Sequence, residues 1–80
     1  LKSGASLLPV GMTRVVREFE RGAVVSVHSP EGRAIAHGMT NYGSDDLKKL
    51  CGVKSTQIID ILGYSYGDAV IHRNNMVVLS

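Results

Sequence analysis

The sequence predicts a small, mainly β domain, a closed or half-closed barrel that carries a pair of short helices. Three observations support this class. Residues 19–42, FERGAVVSVHSPEGRAIAHGMTNY, form a hairpin pattern in which both arms are apolar. Two short helical patterns follow over residues 44–52 and 55–63, and a second apolar hairpin comes last. Strands that are covered on both faces are typical of small barrels.

The first elements are a short lead-in and a strand. Residues 1–6 are interpreted as the end of a linker, and residues 7–80 as the domain. A bend at Pro9–Gly11 leads into the Val-rich stretch Met12–Phe19, which predicts a strand. The chain opens with Leu1 rather than Met and stops after an apolar run, so we expect it to be a piece of a longer protein.

The central hairpin turns at Ser29–Gly32, where Pro30 presets one backbone angle and Gly32 supplies a positive φ. If Ser29 faces Arg33, one face of the hairpin consists of three cross-strand pairs: Val27 with Ile35, Val25 with His37, and Ala23 with Met39. We predict that this face points inward. The opposite face is small enough for another element to pack closely on its second arm, at Ala34, Ala36 and Gly38.

Two short helices are predicted next. Ser44 is a good N-cap, Asp45 and Asp46 complement the helix dipole, and Gly52 ends the first helix. Ser55 is the predicted cap of the second helix, which Gly63 ends and whose apolar stripe is Ile58, Ile61 and Leu62. Helices of this length are marginal alone, so both must dock on the barrel.

Two last strands complete the order strand, hairpin, helix pair, hairpin. They are predicted at Ala69–His72 and Met76–Leu79, with a turn at Arg73–Asn75 between them.

Composition limits the classes of function. The chain has 80 residues, which is one domain at most, and a net charge of +2. A dedicated nucleic-acid module is expected to have a pI above about 9, whereas the pI of this chain is about 8.9. Cys51 is the only cysteine, which excludes a disulfide within the chain and fits a reducing, cytoplasmic setting. No apolar run approaches the roughly 20 residues of a membrane span, so we expect no membrane partner.

The hairpin segments FERGAVVSV and GRAIAHG resemble the central hairpin of PUA domains, and LLPVGM resembles the Pro/Gly loop of that fold. Three further stretches resemble the C-terminal PUA domain of the glutamate 5-kinase family: SGASLLPVGM, NYGSDDLKKLCG and KSTQIIDILGYSYGDAVIHRNNMVVL. The resemblance extends from Gly4 to Leu79. It implies a PUA-like pseudo-barrel of about five to six strands plus a helix pair, carried by an enzyme that phosphorylates glutamate with ATP in the first step of proline biosynthesis.

The chain departs from that family at three positions. Ala23, Ala69 and Asn74 stand where the family usually has acidic residues. These changes remove negative charge and leave the turn glycines in place.

Catalysis is predicted to lie outside this chain. Phosphoryl transfer from ATP needs a loop that cradles phosphates, a cation, and a carboxylate that holds Mg²⁺. No GxxxxGK[ST] motif is present. The resemblance implies that a preceding amino-acid kinase domain binds ATP and Mg²⁺. We therefore predict no catalytic and no cofactor-binding residue here.

The three histidines do not predict a metal site. In the predicted register His28 and His37 lie on opposite faces of the hairpin, roughly 10 Å apart. Shared ligation needs each nitrogen about 2 Å from the metal. His37 is interpreted as a core-edge residue, and His72 as a structural anchor.

Two binding roles remain open. PUA domains of RNA-modifying enzymes use the Pro/Gly loop and the edge near the last strand, which implies contacts at Gly11, Arg14, His72, Arg73 and Asn74. Base stacking would use Tyr42, Tyr64 or Tyr66 unless these tyrosines pack the helix end. The favoured function is a non-catalytic accessory domain that modulates assembly or regulation, with the kinase domain and a homo-oligomer of the parent as partners. RNA binding is the alternative.

Overall fold

The computed structural model describes residues 5–79. It contains one antiparallel sheet of three strands in the order β1-β2-β3. The strands are β1 (Val24–His28), β2 (Ala34–Met39) and β3 (Met76–Val78), and the helices are α1 (Ser44–Leu50) and α2 (Ile58–Leu62). Short 3₁₀ helices span Pro9–Gly11, Ser55–Gln57 and Arg73–Asn75. A three-stranded antiparallel sheet with two short helices is consistent with the predicted PUA-like fold, but the described residues contain three strands rather than five or six.

Two predicted strands do not form. Met12–Phe19 contains no strand. Its last residue is held instead by Ser44, whose backbone N–H donates to the Phe19 carbonyl at 3.0 Å. The segment Ala69–His72 contributes only an isolated antiparallel bridge between Ile71 and Leu7.

The hairpin turn is as predicted. The Ser29 N–H donates to the Arg33 carbonyl at 2.8 Å, and the Gly32 N–H donates to the Ser29 carbonyl at 2.9 Å. Gly32 has a φ of 87°, in the left-handed region that glycine tolerates best.

The predicted register is wrong beyond the turn. His28 pairs with Ala34, but Val27 pairs with Ala36, so Ile35 is an extra residue in a β-bulge. The pairs that follow are Ser26 with His37, Val25 with Gly38 and Val24 with Met39. A shift of one residue reverses the face of every side chain on that arm. Val25 and Val27 pack against the core as predicted, while His37 and Met39 are exposed.

Because of the bulge, the predicted placement of His28 and His37 on opposite faces is wrong. His37 is paired with Ser26, which shares its face with His28 two residues along the strand. Both histidines are exposed on the same side of the hairpin, not on opposite faces. His37 is therefore not a core-edge residue.

The predicted small face of the second arm is not a single face, because Ala36 and Gly38 are buried whereas Ala34 is exposed. Strand β3 pairs with the edge of β2 in the same sheet. Gly38 pairs with Met76 and is buried. A β-carbon at position 38 would lie 2.9 Å from the Met76 Cα and 2.8 Å from the Ile71 Cγ2. Only glycine permits this approach of the two backbones.

Both serines predicted as helix caps have other partners. The N-cap of α1 is Gly43. The Ser44 hydroxyl instead accepts from the Phe19 N–H at 3.0 Å and donates to the Phe19 carbonyl at 3.2 Å. Ser55 opens a 3₁₀ helix without a side-chain cap, and its hydroxyl donates to the Asp68 carbonyl at 2.9 Å. Each hydroxyl joins two segments that are distant in sequence.

The predicted helix ends are confirmed at Gly63, which closes α2 with a φ of 82°. Gly52 follows the C-cap Cys51 of α1 and has a φ of 75°. The predicted apolar stripe of α2 is only partly correct, because Ile61 is exposed.

The core lies between the sheet and the helices and contains Tyr42, Leu47, Leu50, Ile58, Val70 and Ile71. Within residues 5–79, neither helix has the length and apolar character of a membrane span.

Candidate functional site

The loop before β3 holds three of the predicted contact residues in a defined shape. His72 caps the 3₁₀ helix Arg73–Asn75, because its Nδ1 accepts the Asn74 N–H at 3.1 Å. The Asn75 N–H donates to the His72 carbonyl at 2.8 Å. The Arg73 N–H donates to the Ser6 hydroxyl at 2.9 Å. These bonds fix the backbone and leave the side chains of Arg73 and Asn74 exposed.

Gly11 and Arg14 lie on a different segment. Gly11 ends the first 3₁₀ helix, whose Pro9 carbonyl accepts the Gly52 N–H at 3.0 Å and so rests against the end of α1. Arg14 follows in the exposed segment after it. Residues 6–8 lie beside the loop before β3, whereas Gly11 does not. Backbone hydrogen bonds join Leu7 to Val70 and Ile71. The structure thus joins His72, Arg73 and Asn74 and places Gly11 and Arg14 on another element.

Tyr42 lies in the core and holds the GYSYG loop, residues 63–67, in place. It has no exposed surface. Its hydroxyl donates to the Gly67 carbonyl at 2.6 Å and accepts the Tyr66 N–H at 2.9 Å. A buried ring that already uses its hydroxyl on the backbone is not available to stack on a base. The packing alternative holds for Tyr42.

Tyr64 and Tyr66 remain partly exposed beside Tyr42. The centroid of the Tyr66 ring lies 5.4 Å from that of Tyr42 and 5.3 Å from that of Tyr64, in tilted arrangements. The Arg21 Cζ sits 3.7 Å above the Tyr66 ring, a cation–π contact. The Arg21 Nε–H also donates to the Asn41 carbonyl at 3.2 Å. Sequence reasoning missed Arg21, because no spacing rule relates a residue in a turn to a tyrosine 45 positions later.

The surroundings of this cluster are acidic. An open cleft of about 320 Å³ lies beside Tyr66 and Arg21, and four carboxylates also line it: Glu18, Glu20, Asp45 and Asp46. Surfaces that stack unpaired bases combine aromatic rings with a positively charged groove. Carboxylates repel the phosphates of a nucleic acid, so the cleft argues against RNA at these tyrosines.

The described residues do not assemble a metal centre. Within residues 5–79, no three His, Cys, Asp or Glu side chains are grouped so that they could hold an ion. In the same part of the chain, every buried side-chain nitrogen and oxygen has a hydrogen-bond partner. No buried polar group there is left free to ligate a metal or a phosphate.

A titration tests the contact that holds Tyr64. Its hydroxyl donates to the Asp46 Oδ1 at 2.6 Å, and this bond, with a smaller contribution from desolvation, raises the pKa of Tyr64 to about 12. A raised tyrosine pKa means that the neutral phenol is favoured in the folded state. The stabilisation is thus complete below the unfolded pKa of about 10 and is lost as the pH rises through about 12.

Asp46→Asn should therefore lower the pKa of Tyr64 toward 10, because the acceptor loses its charge. The measurement is the ultraviolet absorbance of the phenolate against pH, with Tyr64→Phe identifying the contribution of that residue. Asp45→Asn is the matched control, since the adjacent carboxylate does not bond Tyr64. The same titration curve in both aspartate variants would contradict the role of this bond.

Comparison with known families identifies the family of this chain. The PUA domain model matches residues 1–62, and the chain belongs to the PUA domain family. It is 50% identical over 78 residues to the glutamate 5-kinase of Sodalis glossinidius, which covers 98% of this chain and 21% of that enzyme.

Similar matches occur in other bacteria. The identity is 49% over 79 residues for the glutamate 5-kinase of Pelobacter propionicus, and 43% over 76 residues for that of Deinococcus radiodurans. The match lies in the C-terminal region of these enzymes. The chain spans about a fifth of the length of these curated relatives.

Proposed function

We propose that this chain is the non-catalytic C-terminal accessory domain of a glutamate 5-kinase, the enzyme that phosphorylates glutamate with ATP in the first step of proline biosynthesis. The observation that carries the proposal is the identity of about 50% across 98% of the chain, to proteins of which it covers only 21%. The catalytic machinery then belongs to the remaining four-fifths of the enzyme.

The chemistry of the described residues supports a non-catalytic role. The sequence has no phosphate-binding glycine loop. Between residues 5 and 79 the carboxylates, histidines and cysteine form no grouping suited to an ion. The described residues do not fit a site for ATP or Mg²⁺. In the proposed enzyme the amino-acid kinase domain binds both.

We assign the domain a role in assembly or regulation of the enzyme, exerted through its interface with the kinase domain. Coupling between two domains needs a surface whose shape is defined and whose contacts differ between states. The loop of His72, Arg73 and Asn74 has such a shape, because three backbone N–H groups in it have fixed partners. Gly11 and Arg14 provide a second candidate surface next to the end of α1.

A deletion tests the proposal. Removing this segment from the full-length enzyme should leave the phosphorylation of glutamate largely intact and should change the mass in solution or the response to metal and effectors. Turnover, mass and calorimetric unfolding are measured on the same preparations. A truncated enzyme that is well folded but inactive at saturating substrate would show that the domain contributes to the active site.

A point substitution separates the protein interface from RNA. Arg73→Ala in the full-length enzyme should shift assembly or effector response, whereas Arg33→Ala, an exposed arginine of the hairpin turn, should not. RNA binding, if present, should be weak and sensitive to salt, because few cations release counterions. Submicromolar binding of a tRNA near physiological salt, lost in Arg73→Ala and kept in Arg33→Ala, would replace the accessory role by the RNA-binding alternative.

A further inference from the structure

The face of the sheet that points away from the core is exposed, and four of its seven residues are apolar. We name it the outer sheet face, and its residues are Val24, Ser26, His28, Ala34, His37, Met39 and Val77. Its largest apolar side chains are substantially exposed: Val24 at 72%, Val77 at 55% and Met39 at 44%. Cross-strand pairing places Val24 opposite Met39, and on the same face it places His37 between Ser26 and Val77.

The chemistry of this face favours a protein as its partner. None of the seven residues that form the outer sheet face is Lys, Arg, Asp or Glu. Nucleic-acid binding depends on Lys and Arg that neutralise phosphates. An exposed apolar patch that lacks charge is typical of a protein interaction site.

Ser6 and Leu7 are held close to this sheet. Leu7 bridges to Ile71, and the Ser6 hydroxyl accepts the Arg73 N–H at 2.9 Å. Strand β3 begins three residues after Arg73. A domain that precedes residue 1 is therefore tethered beside the edge strand that contributes Val77.

We propose that the outer sheet face docks against the kinase domain that precedes it in the same polypeptide. This inference rests on the proposed function. The chain matches the C-terminal region of glutamate 5-kinases and covers 21% of their length, so most of the proposed enzyme precedes residue 1. A tether of this kind gives the kinase domain an effective concentration in the millimolar range at the face. A second copy of this domain has no such advantage. The docked contact buries Val24, Met39 and Val77 under an apolar patch of the kinase domain.

The histidines of the chain provide native probes for this contact. His28 and His37 lie on the outer sheet face, and His72 is exposed in the loop before β3. The probe is diethyl pyrocarbonate, which acylates accessible imidazoles, with the rate at each histidine measured by peptide mass spectrometry. The protein is the full-length enzyme throughout.

Two matched valines separate docking from general effects. Val24 and Val16 are both 72% exposed, but only Val24 lies on the outer sheet face. Val24→Asp places a charge in the contact and should raise the acylation rates of His28 and His37 about tenfold, the change expected if the undocked state is about 10% populated in the unmodified enzyme. Val16→Asp should leave both rates unchanged. Val77→Asp is a second disrupting variant on another strand.

The outcomes are distinct. Equal rates at His28 and His37 in the Val24→Asp, Val77→Asp and Val16→Asp enzymes would overturn the docking. An increase that accompanies a halved mass in solution, and that dilution of the unmodified enzyme reproduces, would assign the face to a second copy and also overturn it. Glutamate phosphorylation is measured on the same samples. Its absence in the unmodified enzyme would refute the proposed function, whereas activity with unchanged histidine rates would refute the docking alone.

Discussion

Ile58→Ala is expected to lower the free energy of unfolding of the 80-residue chain by about 2–5 kcal/mol. The Ile58 side chain is 1% exposed and belongs to the core with Tyr42, Leu47 and Ile71. Its truncation removes buried methyl and methylene groups and leaves a cavity that the surrounding side chains fill only in part. Because α2 has five residues, it depends on this contact to remain docked.

The adjacent isoleucine is the matched control. Ile59 lies in the same helix and is 57% exposed. Ile59→Ala should change the free energy of unfolding by no more than about 0.5 kcal/mol, as expected for surface substitutions. Both values come from denaturant unfolding, with the slope checked for two-state behaviour. A similar loss in the two variants would mean that α2 does not present Ile58 to the core.

Gly38→Ala is expected to cost about 1–3 kcal/mol or more, through overpacking rather than through a cavity. The added β-carbon would contact the Met76 Cα at 2.9 Å and would also crowd the Asn75 carbonyl, both of which are backbone atoms. Backbone that is paired in a sheet cannot rotate away as a long side chain does. Strand β3 must therefore move away from β2, which weakens the pairs Gly38–Met76 and His37–Val77.

Gly11→Ala is the control for this substitution. A β-carbon at Gly11 meets no atom within 4 Å, and the backbone there is not in the left-handed region. We expect a change within about 0.5 kcal/mol. Amide hydrogen exchange should show faster exchange in β3 for Gly38→Ala and not for Gly11→Ala. Unchanged stability and exchange in Gly38→Ala would show that the two strands are farther apart than described.

Local chemistry in the sequence predicts several features of this domain correctly. Pro30 and Gly32 determine the hairpin turn, because each residue restricts or permits particular backbone angles without help from the rest of the chain. Gly63 ends α2 for the same reason. Strand alternation places Val25 and Val27 on one face, and both pack against the core as predicted. The motif resemblance to PUA domains is likewise confirmed by the family match.

Other features depend on contacts between distant segments. The bulge at Ile35 shifts the register, and a shift of one residue reverses which side chains of β2 face the core. A register is decided by how well the whole face packs. Here the close approach of β3 requires Gly38 to point inward, and so His37 and Met39 point outward.

The polar side chains show the same division. Ser44 and Ser55 are residue types that often cap helices. Their hydroxyls instead donate to the backbone carbonyls of Phe19 and Asp68, which tertiary folding brings close to them. The Tyr42 hydroxyl donates a hydrogen bond to the GYSYG loop, and Arg21 makes a cation–π contact with Tyr66. The sequence by itself determined the family, the turn and the helix ends, because these follow from motifs and from the conformational limits of single residues. Tertiary structure alone decided the register, the partners of the hydroxyls and the exposed face of the sheet, because each depends on atoms that are remote in sequence.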